Sequence, residues 1–165
     1  MSVITIRGTS QGDLFNLLQA LVNTILDAPG LAVGTTTTKI QITNATNFRI
    51  GDVVYSKGAT DNITVSGLTN TSATQYRKVR IEINSGGTVA FTEGPAASAQ
   101  ALAKVPRRTA SKATLGWVEI PASFTYATSN FNDSGVTFFD GDPDLGDGSG
   151  VPPDDRGIEQ TVITA

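Results

Sequence analysis

The chain has 165 residues, 39% of them apolar, and a net charge of −3, which suits one domain with a core of its own. It has no cysteine and no histidine. Disulfides and thiolate metal sites are therefore excluded, as are the commonest general base and transition-metal ligand.

Residues 2–7, SVITIR, alternate apolar and polar and read as a short strand. The opening stretch has no basic segment followed by an apolar run, so it does not read as a secretory signal. No apolar run approaches the roughly 18 residues that cross a bilayer. The spacing of Leu14, Leu17, Leu18, Leu21 and Ile25, widened by Phe15, Val22 and Leu26, predicts an amphipathic helix over residues 11–27. Ser10 is placed to cap it, Asp13 follows three residues on, and Ala28-Pro29-Gly30 ends it. So wide an apolar stripe needs cover, from a sheet or from a neighbouring subunit, and Leu18 and Leu21 are its interface candidates.

From about residue 38 the pattern is β. TTTTKIQIT alternates around Ile40 and Ile42; RIGDVVYSK contains a Gly-Asp turn; NITVSGL is a further strand. RKVRIEIN sets Val79, Ile81 and Ile83 on one face and Lys78, Arg80 and Glu82 on the other. Gly86 and Gly87 then turn the chain into TVAFTEG, so residues 77–93 read as a hairpin. LGWVEIPASFT and GVTFF supply later strands. Threonine, at 23 copies, suits solvent-facing strand positions.

Two stretches interrupt the pattern. Residues 94–114 are alanine-rich and then basic; they read as an excursion between strands with a short helix at 97–103. Residues 140–157 hold Pro143, Pro152 and Pro153 among glycines and aspartates and read as an extended linker before a terminal strand in IEQTVITA. A strand after a long arm often adds to another chain's sheet. The expected fold is mainly β (α+β): an antiparallel β-sandwich or barrel with one N-terminal amphipathic helix and extended termini. Residues 1–30 form the strand and helix, 31–139 the β domain, and 140–165 the acidic arm.

Charge is polarised along the chain. Residues 39–112 carry ten bases against four acids, and residues 113–165 nine acids against one base, so the middle is +6 and the end −8. Such a chain can neutralise itself or join copies head to tail. The basic cluster Lys104, Arg107, Arg108 and Lys112 lacks aromatics, and the chain is acidic overall, which favours a salt-bridged or subunit-facing loop over nucleic-acid contact. Arg107 and Arg108 are the natural counter-charges of the acidic arm.

DGDPDLGDGSG, residues 140–150, offers Asp140, Asp142, Asp144 and Asp147 as hard-oxygen ligands for calcium. Counted from Asp140, an EF-hand loop would need glycine at Leu145 and glutamate at Val151, so the pattern fails where geometry is most demanding. A solvated acidic arm is the favoured reading, with no metal and no cofactor. No hydroxyl has a histidine to activate it and no phosphate loop is present, so no enzyme is expected. Trp117 reads as a core or interface residue.

Residues 61–126 contain an ordered set: DNITVSGLT, then YRKVRIEINSGGTVAFTEG, an alanine-rich stretch, and TLGWVEIPASFT. In this order they resemble accessory structural proteins of tailed bacteriophages. There an Asp-Asn-Ile strand leads to Tyr-Arg-Lys, a Gly-centred hairpin, a linker with prolines, and a Gly-Tyr/Trp-Val strand ending in Phe-Thr. With GDVVYSK at 51–57 included, the resemblance covers about half the chain; it departs in the linker, KVPRRTASKA. The resemblance implies a non-enzymatic virion structural protein, made in the host cytoplasm and placed on the capsid exterior as a decoration (cement) protein. Its partners would be the major capsid protein and copies of itself, clustered as trimers, with no membrane. The alternative is a tail, fibre or baseplate component acting as adaptor or carbohydrate-binding module, for which Trp117, Tyr126, Phe131, Phe138 and Phe139 would supply exposed aromatics.

Overall fold

The structure, a computed structural model, describes residues 5–7, 22–143 and 159–161. Its strands are β1 (Thr5–Arg7), β2 (Thr24–Ile25), β3 (Leu31–Val33), β4 (Ile40–Ile42), β5 (Thr46–Ile50) and β6 (Val53–Lys57). They continue with β7 (Thr60–Ile63), β8 (Arg77–Ile83), β9 (Val89–Glu93), β10 (Ala113–Ile120), β11 (Thr137–Asp140) and β12 (Glu159–Thr161). These make four antiparallel sheets, ordered β11-β10-β8-β9, β2-β5-β6, β3-β4-β7 and β1-β12. Among the described residues none closes into a barrel.

Among the described residues regular helix is almost absent. One 3-10 turn, Gln100–Leu102, stands where the sequence reads as a helix over 97–103. The amphipathic helix expected over 11–27 is contradicted at its C-terminal end. Thr24–Ile25 is a strand, with Thr24 opposite Arg49 and Ile25 opposite Phe48. The β-branched pair gains a ladder with β5, and Ile25 packs on the core while Val22 and Leu26 remain exposed. Residues 11–21, with Leu18 and Leu21, lie outside the described residues. The terminal strand also differs from expectation, since β12 pairs with β1 of its own chain.

The hairpin over 77–93 forms as its alternation dictates, β8 pairing with β9 from Val79↔Glu93 to Ile83↔Val89. The Gly51-Asp52 turn folds RIGDVVYSK into a second hairpin, β5–β6. Val79, Ile81 and Ile83 are fully buried and meet Leu31, Ile40, Ile42, Phe48, Leu115, Val118 and Ile120 in one core shared by three of the sheets. Each such side chain contributes about 1.5–3 kcal/mol by leaving water. Phe124 joins Tyr126 and Phe131 edge-on, with ring centroids 5.4 and 5.2 Å apart. Tyr126 and Phe131 are thus core residues and leave the set of exposed aromatics. Two glycines allow close backbone approach: a Cβ on Gly116 would lie 2.0 Å from the Phe139 carbonyl oxygen, and one on Gly94 2.1 Å from that of Lys104.

Candidate functional site

Alternation puts Lys78, Arg80 and Glu82 on the face of β8 opposite the core. That face is not left to solvent. Arg80 and Glu82 are both fully buried, because residues 103–109 cross over them, anchored by buried Ala103 and Val105. Gly94 admits this crossing at Lys104. Arg80 Nε donates to the Pro106 carbonyl at 2.8 Å, and its Nη1 to Thr114 Oγ1 at 2.9 Å. Glu82 accepts from the Thr109 backbone N–H at 2.8 Å and from the Thr109 hydroxyl at 2.6 Å.

The acidic arm begins on this face. Asp142 Oδ1 lies 3.1 Å from Arg80 Nη1 and its Oδ2 3.1 Å from Arg108 Nη2. Arg108 Nη2 also donates to the Asn23 carbonyl. Arg80 and Arg108 thus share the buried Asp142 carboxylate, and buried Glu82 stands two residues along β8 from Arg80. The pairing matters, since an uncompensated charge in such a place costs several kcal/mol. Of the expected counter-charges, Arg108 turns inward to Asp142, while Arg107 is exposed.

Asp140 serves a different purpose. Its carboxylate accepts the backbone N–H groups of Gly30 at 3.0 Å and Leu31 at 2.8 Å. Asp140 and Asp142 therefore face different partners, and among the described residues no three metal-ligating side chains gather. Asp144 and Asp147 lie outside the described residues. Trp117 is half-buried beside Arg80, its cross-strand neighbour, and stacks on Phe139 with centroids 4.8 Å apart and planes 6° apart.

Other carboxylates join distant segments in the same way. Glu93 takes the backbone N–H and hydroxyl of Thr69 and pairs with Arg77 at 3.3 Å. Glu119 pairs with Lys78 at 3.3 Å and accepts from Gln100. Asp61 holds Thr35 through the threonine hydroxyl and backbone N–H. The Thr35 hydroxyl and then its N–H hold the Asp61 carboxyl below its ordinary range. Burial, reinforced by the Glu93 carboxylate and opposed by Arg77, pushes the Tyr126 phenol well above its usual value.

Two surface features remain. Val22, Leu26, Val53 and Val54, four of the five exposed large apolar residues among those described, lie in or beside the β2-β5-β6 sheet. An open groove of about 440 Å³ is lined by Lys39, Thr64, Ser66, Leu68, Asn70 and Tyr126 among others. Sequence reasoning singled out none of Arg80, Glu82, Val53 or Val54 as a site. The excess of opposite charge between the middle and the end of the chain is the signal that foreshadows the Arg80–Asp142–Arg108 contact.

Among the described residues no helix is long and apolar enough to cross a membrane. No known protein family matches the chain, and neither does any curated protein or solved structure.

Proposed function

We propose that this protein is a non-enzymatic structural component of a bacteriophage virion, a decoration (cement) protein that docks on the capsid exterior. It would bind the major capsid protein and cluster with copies of itself at threefold positions. The sequence resemblance over residues 61–126 motivates the assignment. The structural observation that carries it is the division of labour between carboxylates and apolar side chains. Asp61, Glu82, Glu93, Glu119, Asp140 and Asp142 each tie together separate parts of the chain, where an active site would gather such groups in a cleft. Four of the five exposed large apolar side chains among the described residues, by contrast, collect in or beside one small sheet, as a docking surface requires. A β-rich sandwich-like body stiffened by internal ion pairs suits a protein that braces a shell.

The alternative, a tail or fibre component, draws on the groove beside Lys39 and Asn70, whose hydroxyls and amide are groups that bind sugars. Negative-stain imaging of particles with and without the gene separates the two. Loss of density from the head supports decoration. Loss confined to the tail, with unchanged heads, refutes it.

A further inference from the structure

The β2-β5-β6 sheet ends in an unguarded strand. Among the described residues β6 pairs only with β5, through five consecutive residues and without a bulge. Edge strands usually carry a proline, a bulge or a central charge that prevents further pairing. In β6, Val-Val-Tyr-Ser-Lys, the one charge is Lys57 at the end. Val53 and Val54 are 52% and 57% exposed, and strand alternation directs them to opposite faces. Both faces of this edge are therefore apolar at the same place. The neighbouring edges differ: β9 is half-buried throughout, and β11 ends in Asp140, which is tied to Gly30 and Leu31.

Charge selects the orientation of a mate. Exposed Asp52 precedes β6 and Lys57 closes it. An antiparallel copy brings the acidic end of one strand to the basic end of the other, whereas a parallel copy sets like beside like. Symmetry then limits the register. A two-fold axis through an antiparallel ladder requires some residue to face itself, because directly opposite pairs alternate in hydrogen bonding. Centring on Tyr55 would place Val53 against Lys57 and Val54 against Ser56. Centring on Val54 places Val54 against Val54 and Val53 against Tyr55, which covers both exposed valines with apolar neighbours.

We infer that β6 pairs antiparallel with β6 of a second copy, centred on Val54, joining two three-stranded sheets into one. This two-fold contact is additional to the threefold clustering proposed above; it covers Val53 and Val54 and leaves Val22 and Leu26 of the same apolar set for docking. A strand of another protein on this edge is the competing occupant.

The absence of native cysteine permits a direct test. The full chain carrying Val54→Cys, kept reduced and then mildly oxidised, should give a covalent dimer. Directly opposite Cα atoms lie about 4.5–5.5 Å apart, within reach of a disulfide. Ser56→Cys should not cross-link, since its two copies would sit four positions out of register. In sedimentation, the native 17.2 kDa chain should reach twice its mass as concentration rises. Val54→Lys should stay monomeric with an unchanged circular dichroism spectrum, and mixing Val54→Lys with Val54→Glu should restore the dimer. A native chain that stays monomeric at every concentration overturns the inference. So do equal cross-linking rates at 54 and 56, which would move the axis to Tyr55, and an oligomer that Val54→Lys leaves intact.

Discussion

Replacing Asp142 by Asn removes one charge from the buried cluster and little volume. Arg80 would keep its bonds to Pro106 and Thr114, and Arg108 its bond to the Asn23 carbonyl. Both guanidinium groups, however, would lose a carboxylate contact of 3.1 Å in a place where their side chains are 0% and 1% exposed. Breaking one partner of a buried ion pair costs about 3–5 kcal/mol, a large fraction of the 5–15 kcal/mol that holds a domain folded. With a urea slope of about 2 kcal/mol/M, the midpoint should fall by about 2 M. The sole tryptophan, Trp117, stacked on Phe139 next to Arg80, supplies the fluorescence signal. Adding Arg108→Met to Asp142→Asn should cost less than the two single changes summed, because both changes break the same buried ion pair. A loss below about 1 kcal/mol for Asp142→Asn would mean that water reaches the cluster, and the ion-pair account would fail.

Ile81→Ala, at a fully buried core position on β8, should lower unfolding stability by about 2–5 kcal/mol in the same titration; a change near zero would put β8 outside the core. Stability should decline at both ends of the pH scale. The Asp61 carboxyl, held below its ordinary 3.8, contributes above that value and loses its contribution as pH falls through its lowered folded value. The Tyr126 phenol, raised by burial, favours the fold below pH 10, and that advantage disappears as the unfolded chain ionises above it. In thermal melts, Asp61→Asn should flatten the acid limb and Tyr126→Phe the alkaline limb. Calcium titration by calorimetry should give no stoichiometric heat, and EDTA should leave the melting temperature unchanged; calcium binding abolished by Asp142→Ala would instead make the arm a metal site.

Local patterning made the hairpin β8–β9 legible, because alternating Val79, Ile81 and Ile83 ahead of the turn glycines Gly86 and Gly87 has one strong solution. The opposite face was less legible. Alternation places Arg80 and Glu82 there, but an irregular segment with no period of its own covers them, and only the tertiary fold brings Pro106 and Thr109 there. Strands β2 and β3, two and three residues long, are too short to carry a period. For residues 23–27 the apolar spacing favoured helix, but the ladder between Thr24–Ile25 and β5 overrode that local preference. The start of the acidic arm was half-legible: a counter-charge was foreseeable in Arg108, but the burial of Asp142 was not, since aspartate among glycines reads as solvated until an arginine is placed opposite.

Heat challenge of purified particles tests the central claim most directly. Particles lacking this protein should release their DNA at a lower temperature than complete ones, and adding back the purified chain should restore the difference while it co-sediments with intact heads. Identical release temperatures, with the added chain remaining unbound, would contradict a role in bracing the capsid.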